Sequence, residues 1–559
     1  MISLLPTLAS DLLPFALFLA LAWRRPDLLG RVRLISRLDK VGRRAPLVAA
    51  VATFLVGWGL GFVRPPLPSV HDEFSYLLAS DTFSSGRLTN PRPESWHSFE
   101  SPQVLTTPTR QSKYPPSKGL LLALGQSTAG HPIVGVWLGM AAAAAALTWA
   151  LAARFSPVWA LFGGMLPAVR FGIFKWDANL SWAYWLESYW GGELGLLGGA
   201  LVFGAAFRLL RTPGSVPALV LGLGTAVLAA NRPYEGLLVV SSVVAVLLLR
   251  MPAPSGLLGR VRALVPALAA PAVALVCLSA YSNVVVGKPL SMPHTVYTDQ
   301  YQHVGHFVWS NYLEPEFAPD SRIGRFHAGF GPARLRRVQE EHEGIRPINI
   351  SLQIGFYLGA ALLLVWPALM FDLRNDAVRL SLIALAASSA GQSVVTVSTL
   401  HAHYFGPVSP ALVILSVAAL RRLSQWTFQS RPVGAALSAA CLTACVLTFV
   451  VSVSLRAGLY SPSSFPVRRQ AINDQLEATP EPDLVIVTYG PNYLGGREWV
   501  YSPAVLETAA VVWAHDLGKS RNQRLIDEFP GRQVWSLTLS GSTEDLRPYS
   551  PQETSDHPK

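Results

Sequence analysis

Long apolar stretches alternate with short polar or basic connections over most of the chain. About twelve apolar runs approach the roughly 20 residues that a helix needs to cross a bilayer. Their centres lie near residues 13, 55, 142, 165, 199, 222, 243, 272, 361, 388, 414 and 445. The pattern therefore predicts an α-helical polytopic membrane protein with about 12 transmembrane helices.

Composition agrees with this interpretation. Hydrophobic residues make up 51% of the chain and charged residues 14%, and the mean hydropathy is +0.34. A soluble protein of average composition has about 25% charged residues. The first apolar run, residues 2–23, has no basic residue before it and no small-residue cleavage site after it. We therefore interpret it as a retained helix and not as a signal peptide.

The basic residues predict the orientation in the membrane. With twelve helices, the Arg-rich connection "RRPDLLGRVRLISRLDKVGRR" and the basic clusters at residues 208–211, 250–262 and 421–422 all fall on one side. Short loops rich in Lys and Arg face the cytoplasm. We therefore predict a membrane protein with these loops in the cytoplasm and both termini outside. The net charge of +11 is explained by loops that face anionic lipid, so a nucleic-acid partner is not needed.

The last hundred residues have a different pattern. The segments "DLVIVTYG", "AVVWAHDLG" and "RQVWSLTL" are typical of short buried strands, and "SRNQRLIDEF" is typical of a helix capped by Ser520. This alternation predicts a small extracytoplasmic α/β domain at residues 456–545, followed by a disordered tail at 546–559. Residues 1–45 would form the first helix and a basic loop, and residues 46–455 the transmembrane core.

Two adjacent acids open an amphipathic stretch on the predicted outer side, Asp72 and Glu73 in "HDEFSYLLAS". One interpretation is structural, because acids suit the positive end of a helix and Ser69 is placed to start a capping box. A functional role is favoured by other groups on the same side. These include Lys113 in "SKYPPSKG", Arg232 in "NRPYEG" and the histidines of "HAHYFGP".

Three features carry a resemblance to a known family. They are the Asp-Glu pair just past an early core helix, the phrase "GRLTNP" that follows it, and the Lys-x-Pro-Pro-x-x-Gly turn from Lys113 to Gly119. Together they resemble the GT-C superfamily of polytopic glycosyltransferases, which use sugars carried on a polyprenyl phosphate. The sequence looks most similar to bacterial members related to the protein O-mannosyltransferases, the lipid A aminoarabinose transferase and the rhizobial lipopolysaccharide-core transferases. Tyr114 departs from the aminoarabinose transferases, which place Lys directly before Pro-Pro.

The resemblance implies transfer of a hexosyl or pentosyl group, with inversion, from a polyprenyl-phosphate donor to an extracytoplasmic acceptor such as an envelope glycan, a lipid or a protein. The residue types suit that chemistry. A phosphate leaving group needs no general acid, whereas the attacking hydroxyl must lose a proton. By the resemblance, Asp72 is the general base, and Glu73 orients it, holds sugar hydroxyls or binds a divalent cation such as Mg²⁺ or Mn²⁺.

Further residues are candidates for binding the substrates. Lys113 and Arg232 are the predicted cations for the donor phosphate, since Arg presents a fork that matches phosphate oxygens. Asp177 resembles the second-loop acid that many superfamily members carry. Structural alternatives stay open, namely a snorkelling Lys113, an Arg232–Glu235 ion pair and a solvated turn at Asp177. The predicted substrate-binding set is Tyr114, Asp177, Glu235, His401, His403 and Tyr404.

Three other classes of protein are weighed against this one. A transporter or flippase of envelope glycolipids would carry charges within its membrane helices and show two similar halves, whereas here the ionisable residues lie mostly at outer helix ends. An assembly protein would not require the cluster of acid, lysine and histidine. A lipid-linked-oligosaccharide ligase typically relies on a large outer loop rich in Arg and His. Such residues occur in the loop 283–349, at His294, His303, His306, Arg322, Arg325 and Arg334.

Overall fold

A computed structural model describes most of the chain, and two compact units divide it. The described residues are 4–24, 39–63, 66–170, 185–253, 255–302, 305–310, 313–317, 323–324, 326–327, 345–395, 402–455, 462–490, 493, 497–541 and 543–551. The unit that we call the helical unit spans Met1–Pro65, Val136–Leu275 and Glu343–Leu459. The second, the mixed unit, spans Pro66–Gly135, Val276–His342 and Tyr460–Lys559.

Most of the described residues are helical. The α-helices are α1 (Leu4–Arg24), α2 (Ala45–Val63), α3 (His71–Ser84), α4 (Pro116–Ala129), α5 (Ile133–Leu151), α6 (Pro157–Arg170), α7 (Glu193–Leu209), α8 (Ser215–Ala229), α9 (Pro233–Arg250), α10 (Gly256–Leu264), α11 (Ala269–Val286), α12 (Pro293–Tyr301), α13 (Ile345–Val365), α14 (Asp376–Gln392), α15 (Ser409–Ser424), α16 (Val433–Leu455), α17 (Phe465–Glu477) and α18 (Lys519–Glu528). Short 3-10 turns lie at Asp39–Arg44, Trp96–Phe99, Val265–Leu268, Trp366–Phe371 and Ala402–Val408.

The apolar runs of the sequence form helices. Each of the twelve predicted centres lies within one of the helices above. Within the described part of the chain, six segments are long and apolar enough to cross a membrane. They are Val41–Phe62, Ile133–Leu151, Pro233–Arg250, Gly256–Val286, Ala402–Ser424 and Val433–Val451. The chain is therefore a mainly helical, multi-pass protein, while twelve crossings stay a prediction.

Glycines bring helix α7 against the turn Ala402–Val408 in the helical unit. A Cβ added at Gly199 would lie 2.1 Å from the carbonyl oxygen of Pro407, and one at Gly195 would lie 3.0 Å from the Pro407 ring. Any larger residue at Gly199 would therefore collide with backbone. This close approach fixes the position of the turn, which carries His403 and Tyr404 of the predicted site.

The mixed unit contains a short antiparallel pair of strands, β1 (Val104–Leu105) and β2 (Gln111–Ser112). It also contains a four-stranded sheet with the order β4-β3-β5-β6. Strands β3 (Asp483–Tyr489), β4 (Val511–His515) and β5 (Gln533–Ser540) are parallel, and β6 (Thr543–Pro548) pairs antiparallel with β5. The three strands and the helix predicted for the tail are present. Two details of the prediction are wrong. Helix α18 begins at Lys519 with Gly518 as N-cap, so Ser520 lies inside the first turn, and residues 546–548 belong to β6.

Apolar side chains pack on both faces of this sheet. Successive side chains of each strand point to opposite faces. Val485 and Val487 point into one core with Trp499 and Trp513. Leu484 and Ile486 point into the other. The segment Pro66–Gly135 contributes Phe74 to the first core and Phe99 to the second. The tail thus shares its cores with this earlier segment, since each contributes apolar side chains to both.

Buried polar contacts join the same two segments. The guanidinium of Arg110, which is 3% exposed, donates to the carbonyl oxygens of Ser502 (2.5 Å) and Pro503 (2.7 Å). The Ala504 amide donates to Asp81 Oδ2 at 2.5 Å. Charge-assisted hydrogen bonds of this kind are among the stronger ones in proteins. The domain boundaries that the sequence predicts at residues 45, 455 and 545 stay predictions. Residues 552–559 lie outside the described residues.

Candidate functional site

The acid pair lies at the start of helix α3 in the mixed unit, and its second member caps the helix. Glu73 Oε2 accepts from the amide of Ser69 (2.8 Å), the hydroxyl of Ser69 (3.1 Å) and the amide of Val70 (3.4 Å). The N-cap is Val70, whose side chain has no acceptor. Amides at a helix start need such acceptors. The structural role that the sequence suggested for Ser69 and Asp72 is therefore performed by Glu73, which is 2% exposed.

Asp72, in contrast, is half-buried and is held by a neighbour from another part of the chain. The hydroxyl of Tyr114 donates a hydrogen bond to Asp72 Oδ1. The Tyr114 ring is itself stacked on Tyr76 of helix α3, with centroids 4.6 Å apart and 22° between the planes. Tyr114, the residue that separates Lys113 from the two prolines, therefore orients the predicted base and leaves Oδ2 for another proton.

Lys113 lies beside this pair among aromatic rings. Its Nζ is 4.6 Å from the centroid of the Tyr297 ring and 5.3 Å from that of Tyr114, within the range of cation–π attraction. Burial lowers the pKa of Lys113 to about 8, although the nearby Asp72 carboxylate raises it in part. The ammonium is thus mostly charged at pH 7, and an incoming anion would stabilise that charge.

Several residues around this cluster were missed by the sequence analysis. Tyr297 is fully buried, donates to or accepts from His327 Nε2 at 3.0 Å, and accepts from the Gln103 amide at 2.9 Å. Burial raises the pKa of Tyr297 far above its usual range. His71 Nδ1 is 3.0 Å from the hydroxyl of Tyr501. Only His71 had a signal, since it directly precedes the acid pair.

A second charged residue near the turn was also missed. Lys118 lies in the first turn of helix α4 and is 2% exposed. Lysine is almost never so deeply buried unless it is paired. Its position five residues after Lys113 gave no sign of this burial, because the surrounding sequence looks like an ordinary helix start. Lys118 is therefore a further basic group of the mixed unit that mutagenesis should include.

The helical unit holds the other described candidates. Arg232 is the N-cap of helix α9, and its guanidinium lies 4.7 Å from the centroid of the Tyr404 ring. Glu235 is in the first turn of the same helix, where its charge and that of Arg232 attract each other. The hydroxyl of Tyr234 donates to the Gly391 carbonyl at 2.9 Å. The predicted Arg232–Glu235 attraction is present, and Arg232 also lies over an aromatic ring.

His403 is buried next to two aromatic rings, with 3% exposure. Its ring centroid lies 4.7 Å from that of Trp190 and 4.6 Å from that of Tyr404. Two buried carboxylates of the same unit were not predicted, Glu187 at 2% and Glu193 at no exposure. Nothing in their spacing marked them, because Glu193 reads as an ordinary acid in a first helical turn.

The predicted site residues thus fall into two sets. Asp72, Glu73, Lys113 and Tyr114 lie in the mixed unit, and Arg232, Glu235, His403 and Tyr404 lie in the helical unit. Asp177 and His401 lie outside the described residues. Among the residues that are described, no group of three or more His, Cys, Asp or Glu side chains is placed to hold a metal ion. Oε2 of Glu73 accepts the hydrogen bonds at the helix start. A divalent cation at Glu73 stays a prediction.

Comparison with known proteins gives structural neighbours only. No protein-family model matches the chain, and no curated protein sequence matches it. Solved structures give matches at low sequence identity. ArnT from Cupriavidus metallidurans bound to undecaprenyl phosphate is 12% identical with a TM-score of 0.44, and apo ArnT is 13% identical with 0.45. Each match covers 88% of this chain and 92% of ArnT.

A third neighbour is the apo oligosaccharyltransferase of Archaeoglobus fulgidus. It is 12% identical, with a TM-score of 0.39, and the match covers 89% of this chain and 70% of that one. At such low identities and TM-scores, the donor, the acceptor and the mechanism depend on evidence from this chain's own residues.

Proposed function

We propose that this protein is a membrane glycosyltransferase that moves a sugar from a polyprenyl-phosphate donor to an extracytoplasmic acceptor. The observation that carries the proposal is the arrangement in the mixed unit. A half-buried carboxylate, Asp72, is oriented by the Tyr114 hydroxyl, and a half-buried ammonium, Lys113, lies beside it among aromatic rings. A base next to a cation is what sugar transfer from a phosphate requires.

The reaction is a single displacement with inversion at C1 of the sugar. The acceptor hydroxyl attacks C1 while its proton moves to Oδ2 of Asp72, which leaves a new C1–O glycosidic bond. The bond from C1 to the phosphate oxygen breaks, and its electron pair stays on the polyprenyl phosphate. Lys113 offsets the charge that grows on this phosphate, and the aromatic rings around it reduce its contact with water and strengthen that attraction.

The second set of residues is assigned by the same chemistry. Arg232 of the helical unit stays a predicted cation for a phosphate group, and its position over Tyr404 holds the guanidinium in place. Glu235, His403 and Tyr404 are assigned to contacts with the sugar or the lipid head group, together with Asp177 and His401. We also infer the bacterial cytoplasmic membrane as the location, with the Arg-rich loops in the cytoplasm and Asp72 on the outer side.

The test uses purified full-length protein in lipid, with defined donors and an extract of envelope acceptors. Wild type should transfer sugar from polyprenyl-phosphate sugars and not from nucleotide sugars. Asp72→Asn should reduce turnover about 10²- to 10⁴-fold, as expected for loss of a general base, with little change in thermal stability. Asp299→Asn, the same change at an exposed acid of the mixed unit, is the matched control. Wild-type turnover in Asp72→Asn, or transfer from a nucleotide sugar alone, would refute the proposal.

The same preparation separates the alternative functions. A transporter or flippase would move the labelled lipid across the bilayer without forming a new glycosidic bond. A ligase would transfer a whole oligosaccharide and would depend on the loop 283–349. In that loop, the rings of His294 and His306 lie 5.6 Å apart, whereas His303, Arg322, Arg325 and Arg334 lie outside the described residues. If the protein transfers a whole oligosaccharide but does not transfer single sugars, the ligase would be favoured.

A further inference from the structure

A large groove opens on the helical unit at the ends of several helices. It has a volume of about 850 Å³, and helix α1, the turn Trp366–Phe371, the end of α15 and helix α16 form its walls. Phe15, Leu364, Phe371, Trp426 and Leu437 are among the lining residues. The size is within the usual range for pockets that bind small molecules.

The walls of this groove are apolar and open. Phe371 is 75% exposed, Leu364 56% and Trp426 48%. A smaller groove of about 330 Å³ shares Trp426 and is lined by Leu19, Trp23, Phe428 and Val433. Large exposed apolar surfaces are costly in water, but on a membrane protein they suit hydrocarbon chains. Two apolar grooves that meet at one tryptophan would accommodate more than one acyl chain.

Two cations lie at the polar end of the larger groove. Arg422 lines it, and Arg421 is the adjacent residue in the last turn of helix α15. Both side chains are exposed. Among the described residues, no acid and no hydrogen-bond acceptor pairs with either guanidinium. The nearest acid in sequence to the groove wall, Asp372, instead accepts from the side chain of Asn375 at 3.1 Å.

Tryptophan side chains line both grooves. The guanidinium of Arg431 lies 4.7 Å from the Trp23 ring centroid and also donates to the Trp23 carbonyl oxygen. Trp426 follows Arg422 by four residues. Tryptophan is enriched where the acyl region meets the head groups. The groove therefore has apolar walls, with cations and a tryptophan at the end of helix α15.

From this combination we propose a binding site for an anionic phospholipid. One or two acyl chains fill the groove between Phe15, Leu364, Phe371 and Leu437, and the phosphate of the head group binds Arg421 and Arg422. Basic pockets between membrane helices are the usual sites of anionic lipids. Unpaired arginines at the mouth favour a lipid with a net negative charge over a zwitterionic one. This proposal does not depend on the proposed glycosyltransferase activity.

The first test compares lipid classes on the wild-type protein. Purified full-length protein is stripped of lipid in mild detergent and titrated with phosphatidylglycerol or phosphatidylcholine, and bound lipid is counted by native mass spectrometry. We expect tighter binding of phosphatidylglycerol. Equal binding of the two lipids would overturn the proposal. Displacement of bound phosphatidylglycerol by stoichiometric polyprenyl phosphate would overturn it as well, because the groove would then be a site for the donor.

The second test uses variants of the groove. Arg421→Gln with Arg422→Gln should weaken phosphatidylglycerol binding about 30-fold, since each cation near a membrane surface contributes roughly a factor of five. Arg262→Gln, the same change at another exposed arginine of this unit, should leave binding unchanged. Ala368→Trp keeps both arginines but fills the groove, so it should also reduce retained lipid. Wild-type affinity in both groove variants would refute the site, and the comparison of lipid classes remains decisive if a variant fails to fold.

Discussion

The lowered pKa of Lys113 leads to a prediction about pH. In the free protein this pKa is about 8, because burial disfavours the charged ammonium more than Asp72 favours it. If Lys113 binds the donor phosphate as a cation, kcat/KM for the lipid donor should be highest near neutral pH and fall as the pH rises through about 8. At pH 9 about one tenth of the protein would carry the charge, so kcat/KM should be about tenfold lower.

Stability does not produce the same decline. A lysine whose pKa is 8 when folded and 10.5 when unfolded binds more protons in the unfolded chain between these two values. Raising the pH through that window therefore favours the folded state as far as Lys113 is concerned. The nearby His294, whose pKa burial lowers to about 4, is already neutral throughout. The alkaline decline should thus appear in activity while the melting temperature does not fall with it.

Two substitutions and one control complete the assay. Lys113→Arg keeps the charge at alkaline pH, so the decline near pH 8 should disappear. Lys113→Gln should lower kcat/KM at every pH and abolish the decline. Lys288→Gln, at an exposed lysine of the same unit, should preserve the wild-type profile. A wild-type profile without an alkaline decline, or a decline that persists in Lys113→Gln, would show that Lys113 is not the phosphate ligand.

Three further predictions follow from the contacts of the mixed unit and from the topology. Tyr114→Phe keeps the ring but loses the hydrogen bond to Asp72, so kcat should drop about 10- to 100-fold, the effect of about 1.5–3 kcal/mol for a bond to a charged group, and an unchanged kcat would exclude the positioning role. Glu73→Ala leaves half-buried amides at the helix start without their acceptor, so the free energy of unfolding in detergent should fall by about 1–3 kcal/mol, whereas a stable but inactive variant would indicate a direct catalytic role. Cysteines at Ser36 and Ser540 test the orientation, since only the latter should react with an impermeant reagent on intact cells; the reverse would invert the topology.

Local patterns predicted much of the fold. The twelve apolar runs form helices. They could be predicted because the hydropathy of a segment depends only on its own residues. The strands of the tail were found for the same reason, since Val485 and Val487 alternate with Leu484 and Ile486. Caps were less accurate, because several polar residues compete at each helix end. Glu73, rather than Ser69 or Asp72, supplies the acceptor at the start of helix α3.

Contacts between distant segments could not be predicted. Lys113 was identified from a local motif, but the ring of Tyr297 next to it comes from a helix almost two hundred positions later, and no periodicity connects the two. The burial of Lys118 depends on tertiary packing in the same way. For the helical unit, the "HAHYFGP" motif pointed to His403 and Tyr404, yet the buried Glu187 and Glu193 carried no comparable signal.

The contact between His71 and Tyr501 has a consequence for biogenesis. The two residues are 430 positions apart, and the Tyr501 ring also stacks on Phe74 at 4.3 Å. At about 5–20 residues per second, the ribosome needs about 20 to 90 s to reach Tyr501 after it has made His71. During that interval the acid pair is synthesised but lacks its aromatic neighbour. A nascent chain arrested before residue 501 would therefore contain every apolar helix described above but would lack the contacts that Tyr501 makes with His71 and Phe74.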